Sequence, residues 1–158
     1  MEALQSPAEM VRSHPFLAGM PEDHLEILAS MAGEVTFRKD DTIFRQNDES
    51  SLFYLLVEGR VALEVTMPGR TLRIQTVGAG EELGWSSLLT PVKKQFQARS
   101  LEPVRALSFD GARLRAACDA NCALGYDLMR RVLGVVADRL QNTRLQLIDM
   151  YSAAGARQ

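Results

Sequence analysis

With two histidines, two cysteines and one tryptophan, the 158-residue chain has few of the side chains on which enzymes commonly rely. His14 and His24 both precede the first strand-like segment. No imidazole is therefore expected on facing strands to hold a divalent metal, or beside Ser86, Ser87 or Ser100 to act as a base. Both histidines are expected to be surface or capping residues. Cys118 and Cys122 are separated by three residues with no histidine beside them, which predicts buried structural thiols rather than a metal site or a disulfide. Sparse cysteine also implies a reducing compartment, so the cytoplasm is the expected location. No apolar run approaches the ~20 residues that span a bilayer. The opening MEALQSPAEMVR has acidic residues and no apolar core of a secretory signal. There is no excess of basic charge either: 18 Lys and Arg face 20 Asp and Glu, a net charge of −2. That balance argues against nucleic acid or an anionic membrane as the main partner.

What remains is 46% hydrophobic and 24% charged, the profile of an ordinary globular domain with a sizeable core. A single domain is expected over 1–158, in three unequal parts. Residues 1–32 read as helical: Pro21-Glu22-Asp23 offers a helix start, Leu25, Ile27, Leu28 and Met31 an apolar face, and Gly33 a stop. Over 33–110 the period switches to two. VTF, DTIFR, SLFYLLVEG, RVALEVT, TLRIQTVG, FQARSL and VRALSFD are short, rich in β-branched or aromatic residues, and separated by turn residues. This spacing predicts a sandwich, jelly roll or small barrel of seven or eight strands, interrupted at 80–89 by a turn feeding a short helix.

Over 111–151 the helical period returns. One helix is predicted from Gly111 to Cys118 and a longer one from Ala123 to Tyr151, with 152–158 as a frayed tail. In the longer helix Tyr126, Met129, Leu133, Val136, Leu140, Thr143, Leu147 and Met150 fall on alternating three- and four-residue steps. Held over more than three heptads, that pattern is a coiled-coil seam. A second stripe, Leu128, Val132 and Val135, can serve the helix's own core. The expectation is a homodimer through Met129, Leu133, Val136, Leu140, Thr143, Leu147 and Met150.

The stretch GAGEELGWSSLL, Gly78 to Leu89, carries the chemistry. Glycines beside Ser86 and Ser87, ahead of a short helix, can turn backbone N–H groups toward an anion. A cation at the start of the next strand would complete such a cradle, and Lys93-Lys94 stands there. Taken alone, a glycine-bounded helical turn between strands is more often a simple connection.

The order of elements resembles the cyclic nucleotide-binding domain, and most of all the sensor half of CRP/FNR-type bacterial regulators. DTIFRQNDESSLFYLLVEGRVALEV is similar to that family's opening hairpins, GAGEELGWSSLL to its phosphate-binding cassette, and ADRLQNT (137–143) to the part of its dimer helix that reaches the purine. The resemblance implies a mainly β, α+β fold. Its parts would be an eight-stranded roll, an N-terminal helical segment, a short cassette helix and a long C-terminal dimer helix. It also implies a ligand, cAMP or another cyclic nucleotide. In the family a glutamate after the cassette glycine takes the ribose and an arginine on the next strand takes the phosphate. On this resemblance Gly84 matches the glycine, Trp85 stands at the glutamate, Lys94 at the arginine and Gln95 beside it. A slip of one makes Lys93 the cation. Thr143 matches the purine contact, and Arg144 follows where the partner helix often gives a small hydroxyl.

The site expected from the sequence is therefore Gly84, Trp85, Ser86, Ser87, Lys94, Gln95, Thr143 and Arg144, with no catalytic residue and no metal. Two functions remain open. One is a small-molecule sensor for a cyclic nucleotide or another anion, signalling through its dimer helix to a partner protein. The other is a ligand-free dimeric scaffold that keeps only the fold. Direct DNA binding is not expected, since no recognition helix or basic stripe is present. The discriminator is a ligand-sized void between cassette and long helix, as opposed to one filled by Trp85 and Phe96.

Overall fold

The first helix is set by its cap. The Ser6 hydroxyl accepts from the Glu9 N–H at 3.3 Å, and the Glu9 carboxylate accepts from the Ser6 N–H at 2.9 Å. This reciprocal pair starts α1, Pro7–Ser13, with proline at a position whose N–H is not needed. A 3₁₀ turn, Pro15–Leu17, and α2, Glu22–Met31, complete the N-terminal helical part. The computed structural model describes residues 4–89 and 93–155.

Eight strands follow: β1 (Gly33–Phe37), β2 (Thr42–Phe44), β3 (Leu52–Glu58), β4 (Arg60–Met67), β5 (Arg70–Gly78), β6 (Glu82–Leu83), β7 (Gln97–Ser100) and β8 (Val104–Asp110). They form two four-stranded antiparallel sheets, ordered β1-β8-β3-β6 and β2-β7-β4-β5. The expected roll is the observed fold. Gly33 opens β1 as well as ending the helical part. The expected turn over 80–89 contains the two-residue strand β6 ahead of a 3₁₀ turn, Trp85–Leu88.

Strand alternation divides the interior in two. On β3, Phe53 and Leu55 face a cluster completed by Met10, Val11, Leu114, Leu124 and Leu128 of the helices. Tyr54 and Leu56 face the inside of the roll, with Val61, Leu63, Val77 and Leu83. A strand buried on both faces reads as a continuous apolar run, as FYLLV does. At the β3–β4 turn Gly59 adopts φ +93°, and a Cβ there would lie 2.4 Å from the Pro103 carbonyl oxygen. Only glycine fits that approach.

Two helices close the chain: α3, Gly111–Ala120, and α4, Cys122–Gly155. The Asp110 side chain caps α3 by accepting from the Arg113 N–H. Leu124, Leu128 and Val132 of α4 pack against the roll, whereas every residue from Gln141 to Gly155 is exposed. Ser152–Gly155 continue α4 rather than fraying; 156–158, the rest of the expected tail, lie outside the described residues.

Three side-chain expectations need correction. His14 and His24 are buried rather than at the surface, although His14 does fill the expected capping role, at the 3₁₀ turn Pro15–Leu17. His14 uses both ring nitrogens: one lies 2.7 Å from the Leu56 carbonyl, and the other accepts from the Phe16 N–H at 3.2 Å. Cys118 is half-buried and Cys122 is exposed, because the α3–α4 junction lies at the surface. No helix among the described residues is long and apolar enough to cross a membrane.

Candidate functional site

Gly84 makes the site possible. Its φ of +86° turns the chain from β6 into the 3₁₀ turn, and a Cβ would lie 2.7 Å from the Leu52 carbonyl oxygen and 3.2 Å from the Lys94 ammonium. The Ser87 N–H donates to the Gly84 carbonyl at 3.0 Å. The Trp85 and Ser86 N–H groups precede that first bond, so the turn itself offers them no acceptor. From beneath, the Arg115 guanidinium donates to the Ser87 carbonyl and fastens the cassette to α3.

Lys94 reaches the same place from the other side. Its backbone is held by two bonds: its N–H donates to the Asp48 carbonyl, and its carbonyl accepts from the Asn47 N–H, each at 2.8 Å. The ammonium lies 3.4 Å from the Ser86 hydroxyl and 4.2 Å from the centre of the Phe44 ring. Ser86 is in turn 2.6 Å from the Ser50 hydroxyl. Lys94 is buried rather than exposed at a strand edge. Burial lowers its pKa to about 8, with Glu82 pulling it back up.

The long helix supplies the opposite wall. A cleft of about 270 Å³ lies between the cassette and α4. Gly84, Trp85, Ser86, Lys94, Gln95 and Thr143 all line it, as do Lys93, Phe44, Phe96, Arg139 and Leu140. Trp85 and Phe96 form walls of this void and leave it open. Ser87 and Arg144 are not among its lining residues. Ser87 is fully buried and its hydroxyl has no hydrogen-bond partner, whereas Arg144 is exposed on α4. The Thr143 hydroxyl donates to the Arg139 carbonyl at 2.9 Å.

Two site residues were missed by the sequence reading. Glu82 is fully buried, and its carboxylate lies 2.9 Å from the Arg139 guanidinium of α4. The same Arg139 nitrogen donates to the Glu82 backbone carbonyl at 2.9 Å. Neither carboxylate oxygen receives an aligned hydrogen bond. Burial therefore raises the Glu82 pKa to about 7, against the pull of Arg139 and Lys94. Strand alternation explains the placement. Leu83 pairs with Tyr54 and enters the roll, so Glu82, paired with Leu55, turns to the helical side. The sequence reading had looked for a carboxylate after Gly84 and found Trp85. Counting from Gly80 instead brings Glu81 and Glu82 forward. Arg139 stood inside the quoted stretch ADRLQNT, where its charge beside an apolar seam was the available signal.

Comparison with known proteins agrees with this geometry. The sequence profile of the cyclic nucleotide-binding domain matches residues 34–121. A CRP-like cAMP-activated global transcriptional regulator of Mycobacterium tuberculosis is 25% identical over 133 residues, 84% of this chain. The chain spans 58% of that regulator's length. Among solved structures, a Geobacter metallireducens GS-15 protein named for cyclic nucleotide binding is 34% identical with a TM-score of 0.75, over 87% of this chain and 99% of its own. The N-terminal domain of a transcriptional regulator from Streptomyces coelicolor A3(2) is 27% identical with a TM-score of 0.67, over 87% of this chain and 94% of its own. In element order, cassette and matched span alike, the chain belongs to the cyclic nucleotide-binding domain family.

Proposed function

We propose that this domain is a small-molecule sensor that takes an anionic, nucleotide-like ligand in the cleft between cassette and α4. The observation that carries the reading is an open cleft of about 270 Å³ with a buried ammonium, Lys94, on its wall. That volume is close to the lower end of small-molecule sites, about 300–1,000 Å³. Lys94, the Ser86 hydroxyl and the Ser86 N–H would hold the anion. Trp85 and Phe96 would flank a flat ring system, and Thr143 would face its edge. Gln95 is a further polar contact at the rim. No residue of this cleft is assigned a catalytic role, and the relatives above are named as regulators and binding domains.

Occupancy would be relayed by α4, which is anchored to the cassette through Arg139 and Glu82. On both sides of that anchor the seam is bare: Leu133, Leu140, Leu147 and Met150 are at least half exposed, and Met129 partly so. A homodimer through these positions would cover them, with Val136 shared between seam and cleft. The whole chain, from the N-terminal helices through the roll to α4, would act as one unit. The acidic charge balance favours output to a protein partner over direct contact with DNA.

The test is calorimetric titration of the nucleotide-stripped protein with cAMP and then cGMP, with Lys94→Ala alongside. The M. tuberculosis relative is named for activation by cAMP, which makes that nucleotide the first probe. Micromolar or tighter binding lost in Lys94→Ala is the expected result. No heat at millimolar nucleotide would retire the sensor reading and leave α4 as an interaction module.

A further inference from the structure

Behind the cleft lies a second tier of the anion site, the segment between β2 and β3. The sequence Arg45-Gln46-Asn47-Asp48 builds its turn. Asn47 takes a left-handed backbone, φ +73°, which asparagine tolerates better than most side chains. The Asp48 N–H donates to the Arg45 carbonyl at 3.2 Å, and the Asp48 carboxylate accepts from the Arg45 N–H at 2.9 Å. From this closed turn the chain runs beside the cassette as a fixed arm. Glu49 forms an isolated antiparallel bridge with Lys93, next to the two backbone bonds that hold Lys94. At the other end of the arm the Ser51 carbonyl accepts from the Gly111 N–H at 2.8 Å. Ser50 lies between these attachments, half-buried, and does not line the cleft.

The Ser50 hydroxyl is 2.6 Å from that of Ser86 and has no other hydrogen-bond partner among the described residues. Ser86 already accepts from the Lys94 ammonium, a group that can only donate. Two settings of the hydroxyl pair remain. Either Ser86 gives its proton to Ser50, or Ser50 gives its proton to Ser86. Only the second leaves the Ser86 O–H free to point into the cleft. Lys94 and Ser50 then both donate to one oxygen, which strengthens the bond that its own proton makes. The contact also favours the one staggered rotamer of Ser86 that reaches Ser50.

Resting on the sensor reading, we propose that Ser50 is a positioning residue of the anion site, turning the Ser86 proton toward the ligand. Ser50 touches no ligand itself. An anion in the cleft selects this setting, because only here does Ser86 offer it a donor. The effect of Ser50 passes wholly through Ser86, which distinguishes it from a residue that merely supports the turn around Lys94.

The experiment is calorimetric titration of the full chain with cAMP and cGMP. It compares the natural protein with Ser50→Ala, Ser50→Thr, Ser86→Ala and the double variant carrying both alanines. Ser50→Ala is expected to weaken binding about fivefold, the worth of one net hydrogen bond. Its melting temperature should move by no more than about 4 °C. Ser86→Ala weakens binding about tenfold or more, since its bond goes to a charged group. The double variant matches Ser86→Ala to within about twofold, the non-additivity of residues that act in series. Ser50→Thr keeps the hydroxyl and restores the natural affinity. Ser50→Ala binding as tightly as the natural protein overturns the proposal while leaving the sensor intact. So does Ser50→Thr binding no better than Ser50→Ala. A loss that persists in the Ser86→Ala background overturns it too, marking the arm as structural support alone. Failure of the natural protein to bind either nucleotide overturns the sensor reading and the role of Ser50 with it.

Discussion

The two halves of α4 share one unbroken helix and almost nothing else. In the first, Leu124 and Leu128 are 0% and 1% exposed, and Arg131 donates to the Phe16 and Ala18 carbonyls at 2.9 and 2.8 Å. In the second, Ile148, Met150 and Tyr151 are 59%, 70% and 73% exposed. The Arg139–Glu82 pair lies at the boundary. Apolar content alone does not separate the halves, since both carry a leucine-rich stripe. The difference lies in whether the roll is there to receive it. Buried apolar surface stabilises the fold wherever it is found, whereas exposed apolar surface on a regular stripe stabilises an assembly. On the proposed dimer, one helix would therefore do two jobs, packing on the roll through its first half and offering most of its seam from the second.

If that division is right, Arg139→Ala should have the largest effect on stability. Removing it leaves the Glu82 carboxylate buried without its main counter-ion, at a cost of about 3–5 kcal/mol at pH 8. The cost should shrink on acidification. The Glu82 pKa is raised in the fold, from 4.5 to about 7, so its protonation favours the folded state. In the natural protein Glu82's contribution is complete below about 4.5 and is lost as pH rises through about 7. Urea unfolding of the variant at pH 6 and pH 8 reads the difference directly, and an equal loss at both would break the argument.

A smaller effect contrasts the halves residue for residue. Leu128→Ala should cost about 2–5 kcal/mol, because it opens a cavity under the roll. Leu147→Ala should change monomer stability by no more than about 0.5 kcal/mol while weakening association. Leu140→Glu tests the second half alone. Sedimentation should find monomers with an unchanged circular dichroism spectrum, since the carboxylate has no partner in an apolar seam.

The smallest effect belongs to the cleft. The Lys94 pKa is lowered to about 8, so anion affinity should hold below that pH and fall above it, by up to about tenfold per unit. Lys94→Arg, permanently charged, should flatten the curve over pH 7–9. A decline that persists in the variant would point to another titrating group.

Much of this was legible in the sequence because it repeats. Period two gave the strands, the three- and four-residue steps gave α4, and glycine with hydroxyls marked the cassette. The Glu82–Arg139 pair was not legible, because nothing local announces it. Two residues of β6 pair with β3, and that pairing alone turns Glu82 toward a helix 57 residues later. The burial of Lys94 escaped for a related reason. A lysine after a lysine reads as solvated surface, yet the Phe44 ring, the cassette at Ser86 and the turn at Asn47-Asp48 enclose it. The heptad was legible, but Val136's second role in the cleft depends on where α4 crosses the roll.

The unbroken course of α4 also has a mechanical side. The helix contains no proline, and its last 16 residues project past Arg139 as a rod about 24 Å long. Tilting that rod by about 10° at Arg139 would carry its tip about 4 Å, approaching the 5.4 Å pitch of one helical turn. A sub-ångström adjustment where the cassette holds the guanidinium would reach the far end several times larger. The ratio of the two arms, more than any single contact, would then set how strongly an occupied cleft is felt at the tip.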